Sequence, residues 1–200
     1  MKIYLVRHGQ TSWNQEERLQ GLRDVPLNQT GVRQSQRLAE WYRKTGVRRI
    51  VSSPLLRARR TAQVLAEHTG RGPLIDDRLR EIDHGPWSGL HLKTIQDRFP
   101  DEFATWSFLP EKLRMSSGET LMAVYRRCTQ AHLDLIKDNP DHDVLVVSHG
   151  VVNALMLCAA IGASLSRIRD YSLHNTALSA ITVRRGKIIA VERELDATAE

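Results

Sequence analysis

The feature that most constrains the fold is a run without a single polar residue, Val144-Leu145-Val146-Val147, followed at once by Ser148-His149-Gly150. A strand that alternates apolar and polar residues buries one face; a strand apolar at every position must be covered on both. Such a strand belongs at the centre of a sheet with helices on either side. The chain supplies the remaining parts in alternation. Residues 2–6 are a β-prone run ending in Arg7-His8-Gly9, and Arg49-Ile50-Val51-Ser52 is another. Between them Val32, Leu38, Ala39 and Tyr42 fall on one helix face, and Gly46 stops that helix. Ser53-Pro54 is read as N-cap and first residue of a helix with Leu55, Ala58, Ala62, Leu65 and Ala66 inward.

Residues 73–79 read as a further extended segment. Residues 86–117 are less regular, and Phe99, Phe103, Trp106 and Phe108 suggest a small helical cap with its own apolar cluster. Ser116 and Glu119 fit a capping box before a helix carrying Leu121, Val124, Tyr125, Cys128 and Leu135. Residues 178–183 and 187–191, around Arg185-Gly186, form a closing hairpin. The expectation is a single α/β domain over residues 1–200. It has a mostly parallel central sheet, helices on both faces and a cap insertion at about 86–117.

Composition narrows the function classes. The longest apolar stretch, residues 151–165, contains Asn153 and is too short to span a bilayer; the N-terminal apolar run is too short for a signal peptide. A cytoplasmic protein with no membrane partner is expected. The formal charge of +6 favours anionic partners. The arginines are scattered, with no stripe interleaved with aromatics, and a basic pocket for a small phosphorylated substrate explains the sign of the charge as well as nucleic acid does; a nucleic-acid partner is not expected. Cys128 and Cys158 fall on apolar helix stripes and read as buried thiols. His68, His91, His132 and His142 show no metal-ligand spacing and read as exposed or capping histidines, so neither metal nor cofactor is expected. The oligomeric state is left open, a homodimer included.

In a sheet of this kind ligands bind at the carboxyl ends of the strands. Arg7-His8-Gly9, Ser52-Ser53-Pro54 and Ser148-His149-Gly150 all stand at such ends, and the second opens the helix bearing Arg57. A lone histidine at a strand end is usually a hydrogen-bonded residue and a lone helical arginine usually faces solvent. Two histidines and two arginines converging on one crevice, beside helix N-termini, suit a phosphate.

Arg7-His8-Gly9-Gln10-Thr11-Ser12-Trp13-Asn14 resembles the nucleophile motif of the histidine phosphatase superfamily, in its phosphoglycerate mutase-like branch. Arg18-Leu19-Gln20-Gly21, Asp24-Val25-Pro26-Leu27, Ser52-Ser53-Pro54-Leu55-Leu56-Arg57-Ala58, Leu79-Arg80-Glu81, Ser117-Gly118-Glu119-Thr120 and Ser148-His149-Gly150 follow in family order. Gln10 departs from the usual glutamate, and an altered local hydrogen-bond pattern is expected there.

The resemblance implies a metal-independent phosphatase. His8 is the nucleophile, Arg7, Arg57 and His149 hold the phosphoryl group, and Glu81 protonates the leaving oxygen. Asn14, Gln20 and Gly21 add hydrogen bonds to substrate. Glu81-Ile82-Asp83-His84-Gly85-Pro86-Trp87-Ser88-Gly89 looks most like the metal-independent phosphoserine phosphatases, with His84 placed to touch a substrate carboxylate. Alternatives are a phosphoglycerate mutase, or a phosphatase for ribazole phosphate or sugar phosphates. The short insertion and the end of the chain soon after the final strand count against the mutase. For Glu81 alone, the bland reading is a surface carboxylate paired with Arg78 or Arg80.

Overall fold

The computed structural model describes residues 1–67 and 69–195. One sheet holds β1 (Lys2–Arg7), β2 (Arg49–Ser52), β3 (Leu74–Ile75), β4 (Val144–Ser148), β5 (Leu178–Arg184) and β6 (Lys187–Leu195), in the order β3-β2-β4-β1-β5-β6. The first four run parallel; β5 and β6 join antiparallel. The helices are α1 (Ser12–Gln15), α2 (Gln29–Lys44), α3 (Leu56–Ala66), α4 (Leu92–Arg98), α5 (Pro100–Phe108), α6 (Leu121–Asp138) and α7 (Gly150–Ile161).

The apolar run does what its composition requires. All five residues of β4 are buried, between β2 and β1. Val144 and Val146 join Ile3, Leu5, Cys128 and Leu155 in a core under α6 and α7. Leu145 and Val147 join Val6, Leu38, Tyr42 and Leu65 in a second core under α2 and α3. The fold is therefore α/β, with a mixed, mostly parallel sheet between two helical layers. A third cluster packs Trp87, Ile95 and Leu113 against Phe99, Phe103 and Trp106. Removing a fully buried tryptophan costs about 3–5 kcal/mol, so Trp87 anchors the segment that follows Glu81. Among the described residues no single helix is long and apolar enough to cross a membrane.

Several local expectations are corrected. Helix α3 starts at Leu56, and its N-cap Leu55 has no side-chain bond. Ser53 is engaged elsewhere, and the first amide of α3 is capped from a distant loop by Asp24 Oδ1 at 2.7 Å. Helix α6 is capped by Thr120, whose Oγ1 accepts from the amide of Ala123. Glu119 forms no capping box with Ser116; it pairs with Arg127 at 2.9 Å. Of residues 73–79 only Leu74–Ile75 is strand, because Asp76 caps a 3₁₀ turn at Asp77–Leu79. Phe108 is 77% exposed and lies outside the aromatic cluster.

His91 and His142 are exposed, but His132 is buried on α6, and neither of its ring nitrogens has a partner among the described residues. Helix packing overrides its polarity. His68 lies outside the described residues.

Candidate active site

The register of the sheet brings three strand ends level. Arg7 lies opposite Ser148, and Ser52 opposite Val147. His8, Ser53 and His149 are the next residues along, at the carboxyl edge. Gly9 lets the first of these loops lie on α2: a Cβ there would stand 2.6 Å from the carbonyl oxygen of Gly31. The amide of Gly9 donates to Thr61 Oγ1 at 3.0 Å, tying the loop to α3 as well.

His8 is 2% exposed. Its Nδ1 meets the carbonyl of Gly9 at 2.7 Å, and the Nε–H of Arg57 points at its Nε2 at 3.2 Å. A carbonyl can only accept and a guanidinium can only donate. The proton is therefore on Nδ1 and the lone pair on Nε2. Burial, then the charges of Arg57 and Arg7, hold the imidazole well below its ordinary pKa, against the Gly9 bond. His8 is a neutral base of fixed tautomer, as a nitrogen nucleophile must be.

Arg57 is buried on α3 and fully engaged. Besides His8 it donates to the carbonyls of Arg23 at 2.8 Å and Gly21 at 2.9 Å. Burial lowers its pKa to about 10, which leaves it charged. Arg7 donates to the Leu173 carbonyl at 2.7 Å and its buried Nε has no partner among the described residues. His149 is buried, with Nε2 bonded to Ser53 Oγ at 2.8 Å and Nδ1 without a partner among the described residues. Burial, then Arg57, keeps it well below the ordinary imidazole pKa. The His8 and His149 rings lie 5.2 Å apart.

Glu81 is 9% exposed, and its carboxylate accepts from the amides of Ile82 at 3.0 Å and Val151 at 3.5 Å. The second amide belongs to the first turn of α7, whose dipole favours an anion. Glu81 is buried and makes no ion pair with Arg78 or Arg80 among the described residues, Arg78 pairing with Asp76 and Asp134, so the surface-pair reading of Glu81 is set aside. Two guanidiniums against one carboxylate leave the centre net positive.

The remaining site residues divide. His84 is buried, its ring edge-on to Trp106 at 5.8 Å, and burial lowers its pKa. With Arg7 and Glu81 it lines a cavity of about 240 Å³. Gly21 holds Arg57 through its carbonyl. Gln20 is buried with Oε1 unpartnered among the described residues. The side-chain oxygen of Asn14 is taken by the amide and hydroxyl of Thr11, at 3.0 and 3.1 Å. Gln10 accepts from Asn28 Nδ2 at 2.9 Å, tying the loop after His8 to the start of α2. A larger cavity of about 700 Å³, lined by Arg48, Arg49, Arg71 and Asp143, opens at the amino ends of β2 and β4 and contains none of these groups.

Three supporting residues escaped the sequence reading. Asn175 Nδ2 donates to the His8 carbonyl at 2.9 Å. Ser53 orients His149. Arg127 of α6 donates to the carbonyls of Arg78 and Arg80, each at 2.6 Å, and of Glu81 at 3.1 Å, while Glu119 holds its other edge. Of these only Ser53 stood in a motif, and nothing in it signalled a histidine 96 residues away. Among the described residues no group of three or more His, Cys, Asp or Glu side chains is placed to hold a metal ion.

The family model of the histidine phosphatase superfamily (branch 1) matches residues 3–195. The chain belongs to this superfamily. This histidine phosphatase is 35% identical over 181 residues to phosphoserine phosphatase 1 of Hydrogenobacter thermophilus, covering 90% of the chain and 86% of that protein. It is 32% identical over 190 residues to the probable phosphoglycerate mutase GpmB of Enterobacter sp. (strain 638), covering 95% and 88%. The solved mycobacterial glucosyl-3-phosphoglycerate phosphatase, in complex with VO3, superimposes with a TM-score of 0.83 at 30% identity, over 90% of this chain and 92% of that one. The family and these relatives make the chain an enzyme acting as a phosphatase.

Proposed function

We propose that the chain is a single-domain, metal-independent phosphomonoesterase that hydrolyses a small metabolite through a phosphohistidine at His8, with phosphoserine the leading substrate. The observation that carries this reading is the tautomer of His8: a buried neutral imidazole with its Nε2 lone pair directed at the guanidinium of Arg57. A phosphoryl group entering between them displaces that contact, presenting phosphorus to Nε2 and its oxygens to Arg57, Arg7 and His149. The Glu81 carboxylate takes up the proton carried in by a phosphomonoester monoanion; the N–P bond forms as the P–O bond breaks, and the leaving oxygen takes that proton from Glu81. Water then attacks phosphorus, its proton passes through Glu81 to the departing phosphate, and His8 is left neutral. Asn14, Gln20 and Gly21 form the phosphate-side wall, and His84 faces the leaving group.

Phosphoserine and phosphoglycerate, named in two relatives, both carry a carboxylate beside the phosphate ester. The 240 Å³ cavity, a little below the usual volume of ligand pockets, suits leaving groups of that size. No step calls for a metal. A panel of phosphoserine, 3-phosphoglycerate and sugar phosphates, assayed with and without EDTA, tests the proposal. Hydrolysis unaffected by EDTA and fastest for phosphoserine is expected. Mutase turnover without release of phosphate, or loss of activity with EDTA, contradicts it.

A further inference from the structure

The cavity beside Glu81 is where a leaving group must lie, because Glu81 has to reach the departing oxygen. Its other walls are Leu19, Trp106 from α5's segment, and Ile168 and Arg169 from the 3₁₀ stretch Leu165–Tyr171. We propose that Arg169 is a specificity-determining residue that binds a carboxylate on the substrate's leaving group. The assignment rests on the phosphatase reading above.

Three observations carry it. In the proposed mechanism Arg7 and Glu81 serve phosphoryl transfer, which leaves Arg169 as the remaining formal charge on the cavity wall. His84 is kept neutral by its burial and offers only an uncharged hydrogen bond. Secondly, the guanidinium of Arg169 is weakly committed. Its NH2 donates to Ser107 Oγ at 3.3 Å, and among the described residues no carboxylate pairs with it. The neighbouring Asp170 is taken by Arg167 at 2.9 Å. An exposed fork held only by a neutral hydroxyl can exchange that contact for a charge-assisted pair. Thirdly, the walls away from the charged groups and His84 are mostly apolar, with Leu19, Trp106, Val151, Ala154 and Ile168 against the single hydroxyl of Ser172, and leave few polar partners for a polyol. A sugar or nucleoside leaving group would strand its hydroxyls against them, whereas a short acid places its one charged end on Arg169. The contact with Ser107 also joins the two sides of the cavity, so a bound carboxylate replaces a bridge between α5 and the 3₁₀ stretch.

The test compares O-phosphoserine with phosphoethanolamine, which differ only in the carboxylate, using the wild type, Arg169→Gln and Arg169→Lys. Wild-type turnover of p-nitrophenyl phosphate reports the phosphatase reading by itself, and circular dichroism reports the fold of each variant. The ratio of kcat/KM for phosphoserine over phosphoethanolamine is expected to fall about 10- to 100-fold in Arg169→Gln, through KM. Arg169→Lys is expected to restore part of it. An active wild type that shows no preference for phosphoserine, or an Arg169→Gln variant with an unchanged ratio, overturns the assignment alone. A wild type inert toward p-nitrophenyl phosphate overturns the phosphatase reading and the assignment with it.

Discussion

The Nε–H of Arg57 donates to Nε2 of His8 across 3.2 Å. The same guanidinium is held from behind by the carbonyls of Gly21 and Arg23. One side chain thus keeps Nε2 of His8 unprotonated and, in the proposed mechanism, stands where phosphoryl charge develops.

Arg57→Lys keeps the charge but not the planar fork, so it cannot serve all three acceptors. It is expected to lower kcat by about 10²–10³, with the folded spectrum retained. Steady-state kinetics with p-nitrophenyl phosphate check this; near wild-type turnover would show that charge alone suffices.

Glu81→Gln preserves shape and one acceptor while removing the transferable proton. It is expected to slow phosphorylation of His8 by alkyl phosphates by roughly 10²–10⁴ and to spare p-nitrophenyl phosphate, whose leaving group needs little protonation. Single-turnover measurements isolate that step, because in the proposed mechanism Glu81 also serves the later hydrolysis. Equal losses for both leaving groups would make Glu81 structural.

Much of this site was legible along the chain. The all-apolar β4, the glycines of the nucleophile and histidine motifs, and the placing of His8, Arg57 and His149 at strand ends or a helix start are local or motif-borne. What was not legible depends on contacts across the fold. Asp24 caps α3 from 32 positions away, and Ser53, whose Oγ accepts from the Leu55 amide, also meets His149. Arg127 looks like an ordinary helical arginine until α6 lies beside the Glu81 loop. His132 looks polar until helix packing covers it.

Burial pulls the pKa of His132 from an ordinary 6.5 to about 4. Because the folded value is depressed, the unfolded chain takes up the proton first. Stability is intact above pH 6.5 and is lost as pH falls from there toward 4, by about 3 kcal/mol when complete. Buried His8 and His149 act with the same sign. His132→Leu is expected to flatten this acid limb and to stabilise the fold at neutral pH by removing unpaired polar atoms. Urea midpoints of both proteins at pH 7 and pH 5 test it; identical losses on acidification would place the sensitivity elsewhere.

The central claim is that His8 carries the phosphoryl group. Rapid quench with ³²P-labelled substrate, followed by peptide mapping, addresses it directly. Acid-labile, base-stable label on the peptide containing His8, absent from His8→Ala, is the predicted result. Label on another residue, or a folded His8→Ala protein with near wild-type turnover, would contradict the account.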